Sequence, residues 1–166
     1  MLFLGRMLAI ASMKEGRKVT WFPSYGAEMR GGTANCTVVI SDTLIGSPVV
    51  LNPDILVAMN KASFDKFLPI LKKRGLLFYD SSLITKHATR SDVVPVAVPA
   101  TQIASSAGNT KSANMVMLGA VVARTGVLHK SSVLALFENS RQDHPELNIN
   151  RQSLVKGMEY IENKKG

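Results

Sequence analysis

Residues 25–32 read YGAEMRGG and residues 108–114 read GNTKSAN. These two stretches hold most of the side chains whose type and spacing suit recognition chemistry. Tyr25 offers a flat ring and a hydroxyl, and Glu28 and Arg30 bring one charge of each sign. Gly26, Gly31 and Gly32 admit backbone angles that other residues avoid and let a second chain approach closely. As a self-contained turn the first stretch would be held by a Glu28–Arg30 pair, worth about 0–1 kcal/mol at a surface. As a contact loop it would face a ligand or another subunit. In the second stretch Gly108, Asn109 and Thr110 precede a helix start, and Lys111 adds a cation. Free N–H groups at a helix N-terminus attract anions; the plainer alternative is a capped helix with Asn114, Leu118 and Val121 turned inward. Asn60 closes the run LVAMN, where it either meets a sheet ligand or only ends a strand.

No catalytic set can be assembled from these or other residues. No nucleophile, base and orienting group fall into a local pattern, and both the G-x-S-x-G elbow and the G-x-x-x-x-G-K-[ST] phosphate loop are absent. His87 lies on a polar stretch with Lys86 and Arg90 and is expected in solvent. One cysteine, Cys36, and three separated histidines (His87, His129, His144) lack metal-ligand spacing, so no metal site is expected in this chain. A lone cysteine permits no intrachain disulfide and fits a reducing compartment, the cytoplasm.

The chain has 166 residues, 46% hydrophobic and 19% charged, which suits one domain over 1–166 with a real core. The low charged fraction hints that part of the surface is covered by another subunit. The formal net charge of +8 suggests an anionic partner: a phosphate-bearing molecule, an acidic protein or nucleic acid. The tightest cationic clusters, Lys72-Lys73-Arg74 and Lys164-Lys165, read as a helix end and a chain terminus. No aromatic residues interleave with them, which argues against nucleic acid. The opening MLFLGRMLAIA is too short to span a bilayer and has no cationic leader before it, so neither a membrane nor a signal peptide is expected.

The elements that must position these residues follow from periodicity. Residues 2–14 read as a buried helix ending at Gly16, and 17–22 as a strand stopped by Pro23. NCTVVIS is a second strand and DILVAMN, after Pro53, a short apolar third of the kind a parallel sheet buries. Ser63 can cap a helix striped by Phe64, Phe67, Leu68 and Leu71, shortened by Pro69 and ended by Gly75. LLFYDS and VVPVAVP are further strands, the latter placed by its prolines at an edge or bulge. Helical patterns then cover about 100–107, 112–125, 131–139 and 151–163, with Gly126 as a C-cap. Strands alternating with helices predict an α/β fold with a mostly parallel sheet and helices on both faces. Ligands of such sheets gather at the carboxyl ends of strands, where the loop after residue 24 would lie.

SYGAEMRGGTANCTVVISD, PDILVAMN and GNTKSANMVMLGAVVARTG together resemble the gamma subunit of the 2-oxoacid:ferredoxin (acceptor) oxidoreductases, over residues 1 to about 126. The resemblance implies a Rossmann-like domain in a complex that converts a 2-oxoacid and coenzyme A to acyl-CoA and carbon dioxide. It places thiamine diphosphate, Mg and iron–sulfur clusters in the alpha, beta and delta subunits and no cofactor in this chain. The implied role is packing on those subunits and shaping the approach of coenzyme A. Tyr25, Gly26, Glu28, Arg30, Gly31 and Gly32 would face them, with Asn60, Asn109, Thr110, Lys111 and Asn114 on the same edge.

Members of that family usually begin with a strand and a Gly-x-Gly-Gly-Gln-Gly turn ahead of the first helix, and neither stands before MLFLGRMLAIA here. Loss of such a strand would leave unpaired backbone groups, each costing about 1–3 kcal/mol, and the isolated chain could homo-dimerise to cover the gap. The expectation is a native start about 15 residues earlier, one strand and one turn. Mass spectrometry of the native protein checks it, and an N-terminus at Met1 refutes it. Arg30→Ala is expected to weaken subunit assembly or raise the KM for coenzyme A with the fold intact; unchanged assembly and kinetics would remove Arg30 from that role.

Overall fold

The computed structural model describes residues 1–24, 34–85, 90–137 and 145–164. Helix α1, Leu2–Lys14, is built from strong helix formers without a β-branched run, and it stops where Gly16 turns to φ +77°. The chain returns as β1, Lys18–Ser24, which pairs antiparallel with β2, Asn35–Ser41, from Lys18↔Ser41 to Ser24↔Asn35. Gly5 lets α1 lie against this hairpin: a Cβ there would overlap Cys36 Sγ and stand 3.2 Å from Trp21 Nε1.

The second sheet is parallel, in the order β3 (Ile55–Ala58), β4 (Leu76–Asp80), β5 (Val94–Val98). Its side chains alternate between two apolar clusters. Leu77 and Tyr79 of β4 meet Phe64 of α2 (Lys61–Phe67), Leu68 of the 3-10 turn Leu68–Ile70, and Leu71 just after it. Phe78 and Val98 face the other way, into the cluster shared by α1, α3 (Ala100–Ser106), α4 (Ala113–Thr125) and α6 (Pro145–Asn163). A short α5, Lys130–Leu134, lies between α4 and α6 in sequence. Helices therefore cover both faces of the parallel sheet, as alternation in the sequence predicts.

Five expectations need correction. The first two strands form an antiparallel hairpin apart from the parallel sheet. Pro23 does not stop β1; it pairs with Cys36 inside a strand that has one neighbour, where a missing N–H is tolerated. The cap of α2 is Asn60, whose Oδ1 accepts from the Ser63 N–H at 2.7 Å, so Ser63 sits in the first turn instead of before it. Helix α6 starts six residues before 151, at Pro145, because proline suits a first helical position. The helix expected over 131–139 ends at Leu134, with a turn over 135–137. Three other readings hold: Pro69 cuts α2 short, β5 is an edge strand, and Gly126 at φ +62° ends α4.

The buried carboxylate of Asp80, at the end of β4, is met by donors from Ser82 N at 3.0 Å, Thr101 N at 3.1 Å and Thr101 Oγ1 at 2.5 Å, which fixes the start of α3. Helices α4 and α6 touch backbone to backbone. A Cβ at Gly119 would overlap the Leu154 carbonyl, and one at Gly157 the Val116 carbonyl. Glycine to alanine inside a helix ordinarily gains about 1 kcal/mol. Here Gly119→Ala and Gly157→Ala are each expected to lose about 1–3 kcal/mol through overpacking. Urea unfolding checks this, and a midpoint at or above that of the unsubstituted chain would show that the helices do not approach so closely.

Candidate functional site

The direction of three helices follows from what their residues touch. Ser112 and Ser153 share a buried hydroxyl–hydroxyl hydrogen bond of 2.7 Å, and Val116 meets Gly157 one turn on, so α4 and α6 run parallel. At the far end of α1, the Glu15 carboxylate accepts from the His129 N–H at 2.8 Å, and Arg17 Nη1 donates to the Val127 carbonyl at 3.1 Å. Both contacts lie just past the C-terminus of α4, so α1 points the same way. The N-termini of α1, α4 and α6 thus stand together. Between them is an open cavity of about 210 Å³ lined by Phe3, Asn109, Lys111, Asn114, Glu146 and Asn150.

Each lining residue has a local reason for its place. Asn109 precedes the 3-10 turn Thr110–Ser112 that leads into α4, and its Oδ1 accepts from the Lys111 N–H at 3.0 Å. That turn is tied down by Ser112 Oγ, which donates to the Asn109 carbonyl at 2.7 Å. Lys111 is exposed and has no ion-pair partner among the described residues. Glu146 stands in the first turn of α6, where a carboxylate favours the helix dipole. The first turns of α1 and α4 carry no acid. Each helix presents roughly half a positive charge at its N-terminus, so the cavity is electropositive beside Lys111 and offset near Glu146. Asn114 and Asn150 add amide groups, and Phe3 adds an apolar ring.

Of the residues singled out from the sequence, the structure brings Asn109, Lys111 and Asn114 to this cavity. Thr110 is exposed in the same turn but does not line it, and Asn60 is occupied as the cap of α2. Tyr25, Gly26, Glu28, Arg30, Gly31 and Gly32 lie outside the described residues, as do His87 and His144. The hairpin end from which that stretch departs is near the cavity end of α1: Cys36, one residue beyond Asn35, points its Sγ at the Met1 carbonyl at 3.9 Å. Phe3, Glu146 and Asn150 were not singled out. Nothing in their local sequence distinguishes them, and only the parallel packing of α1, α4 and α6 collects them.

The site lacks an activated nucleophile. Burial pushes the Cys36 thiol up, so little thiolate exists at neutral pH. No group of three His, Cys, Asp or Glu that could hold a metal occurs among the described residues. What the arrangement can do is bind: a cation and helix N-termini for a negative group, amides for hydrogen-bonding edges, and an apolar ring for a flat surface.

The pyruvate ferredoxin/flavodoxin oxidoreductase family matches residues 1–160. The chain belongs to this family. Among its relatives, ketoisovalerate oxidoreductase subunit VorA of Methanothermobacter thermautotrophicus is 44% identical over 122 residues, which cover 74% of this chain and 25% of that protein. The 2-oxoglutarate synthase subunit KorC of Methanocaldococcus jannaschii is 38% identical over 132 residues, 78% of this chain and 69% of that one. Among solved structures, the gamma subunit of the keto/oxoacid ferredoxin oxidoreductase of Geobacter sulfurreducens superposes with a TM-score of 0.81 at 31% identity, over 98% of this chain and 91% of that one. The resemblance read from the sequence and the α/β fold it implied are both met by this family. The chain spans about a quarter of the length of VorA; in that relative the domain is part of a longer polypeptide.

Proposed function

We propose that this chain is the gamma component of a 2-oxoacid:ferredoxin oxidoreductase that converts a 2-oxoacid and coenzyme A to acyl-CoA and carbon dioxide, two electrons passing to an iron–sulfur acceptor. Its partners are the alpha, beta and delta subunits of a cytoplasmic complex. Thiamine diphosphate with Mg and the iron–sulfur clusters belong to those partners, where they supply carbanion and electron-transfer chemistry. The present chain does not fit a cluster, which takes several thiolates, since it has one cysteine. Its own contribution is packing and the approach of coenzyme A.

One observation carries this reading: Lys111 lines the cavity together with residues from the N-terminal parts of α1, α4 and α6. A phosphate of coenzyme A suits the cation and the helix ends. An adenine ring suits the amides of Asn109, Asn114 and Asn150 at its edge and the Phe3 ring on its face. The cavity is smaller than the roughly 300–1,000 Å³ of a complete ligand pocket. It would take one end of the molecule, with the remainder lying toward the reacting centre on another subunit. The stretch from Tyr25 to Gly32 would border that path, with Gly31 and Gly32 permitting close approach.

Charge reversal of the effect tests the assignment. In the assembled enzyme Lys111→Ala is expected to raise the KM for coenzyme A several-fold with kcat unchanged, because a ground-state contact is lost. Glu146→Gln is expected to lower that KM by removing a repelling charge. Steady-state kinetics with varied coenzyme A checks both, and a KM unmoved by either change takes the cavity out of the coenzyme A path.

A further inference from the structure

The seam between α4 and α6 changes character along its length. Glu146, Asn150, Ser153 and Gly157 fall at i, i+4, i+7 and i+11, one stripe of α6. At Gly157 the stripe touches the backbone of Val116. At Ser153 it makes the buried hydroxyl pair with Ser112. At Asn150 and Glu146 it borders the cavity, where Asn109, Lys111 and Asn114 come from the other side of the seam. The serine pair is the polar contact that separates the packed part of the seam from the open part.

The protons of that pair are ordered. The Ser112 hydroxyl donates to the Asn109 carbonyl at 2.7 Å, and a carbonyl can only accept. Ser112 has one hydroxyl proton, so Ser153 is the donor in the 2.7 Å bond between the two side chains. A single line of donors runs from Ser153 through Ser112 to the Asn109 carbonyl, with both serines buried. Such lines strengthen by mutual polarisation. Ser112 occupies the N-cap position of α4 and makes no side-chain cap bond there. A serine at that position ordinarily accepts from an N–H two or three residues on; here the hydroxyl serves the preceding turn. The Asn109 carbonyl also accepts the Ser112 N–H at 3.0 Å, and the Asn109 N–H donates to the Ala104 carbonyl of α3 at 3.1 Å. The turn that carries Lys111 is thus fastened to α3 on one side and, through two serines, to α6 on the other.

We infer that Ser153 is a positioning residue for the ligand of the cavity: its hydroxyl, acting through Ser112, holds the turn from Asn109 to Ser112 so that Lys111 meets the anionic group. The inference rests on the functional reading above. Ser153 does not itself line the cavity, so its effect on binding passes through Lys111. A role confined to packing α6 on α4 would act on binding equally with or without the Lys111 ammonium.

The test measures the dissociation constant for coenzyme A on the assembled enzyme by titration calorimetry, for Ser153→Ala, Ser112→Ala, Lys111→Ala and each serine change combined with Lys111→Ala. Ser153→Ala is expected to weaken binding about two- to tenfold, the factor that one neutral hydrogen bond commands, with kcat at saturating coenzyme A unchanged. Ser112→Ala removes the middle of the line and is expected to weaken binding at least as much; it carries the test if Ser153→Ala fails to assemble. With Lys111→Ala in place, either serine change is expected to add less than about twofold, because the group it positions is gone. Unchanged binding in both serine variants overturns the inference. So does a loss that persists in full without Lys111, which reduces the serines to packing. If Lys111→Ala alone leaves binding unchanged, the functional reading fails and the inference with it.

Discussion

The near-complete burial of α4 is the constraint from which the rest of this molecule follows. Met115 through Val122 are all buried, so the helix is enclosed on every side by the sheet, α1, α3 and α6. A helix apolar all round cannot rest on the surface. It requires a layer on its outer side, and α6 provides one only because Gly119 and Gly157 allow the two backbones to touch. The buried Ser112–Ser153 bond then fixes their register. With the register set, α6 begins about two turns ahead of α4, its Glu146 and Asn150 border the same cavity as Lys111 and Asn114, and α1, tied at its far end by Glu15 and Arg17, brings Phe3 to it. The cavity is a by-product of this layering: three helix ends that cannot meet leave a space among them.

Much of this was legible in the sequence because it is local. The strand at 35–41, the stops at Gly16 and Gly126, and the cut at Pro69 depend on residues within a turn of each event. The failures share the opposite character. Ser63 and Asn60 are both good caps, and the choice between them depended on where β3 hands over to the helix. Pro23 stops a strand that has two neighbours but not one that has a free side. The first turn of α6 offers the core only Leu147, with Glu146 exposed beside it, so its apolar periodicity begins later than the helix does. Of the candidate site, Asn109, Lys111 and Asn114 could be found since they belong to one helix start. Phe3 and Asn150 could not, being more than a hundred residues apart in sequence and joined only by the packing of α1 and α6 around α4.

Among the described residues, the reactive side chains amount to little beyond one half-buried thiol and His129 at a helix end. The chain has instead two kinds of surface. One is electropositive and amide-lined; the other is uncharged and apolar, with Leu44, Val49 and Leu51 exposed. They are built from different segments: the helix N-termini in one case, the β2–β3 connection in the other.

Helices laid side by side in the same direction place like partial charges together at each end. At the C-terminal end, Lys14 and Arg124 in the last turns of α1 and α4 offset the negative pole. At the other end α6 has Glu146, while α1 and α4 have no acid. Two of the three helices thus carry a cation at their negative ends, α6 having none in its last turn, and the positive ends of α1 and α4 are left uncompensated. An anion in the cavity would complete the compensation, and a ligand that binds only the folded layer stabilises it in proportion to the logarithm of its concentration. Occupancy and folding then become one equilibrium, and the supply of the ligand sets how firmly the helical layer is held.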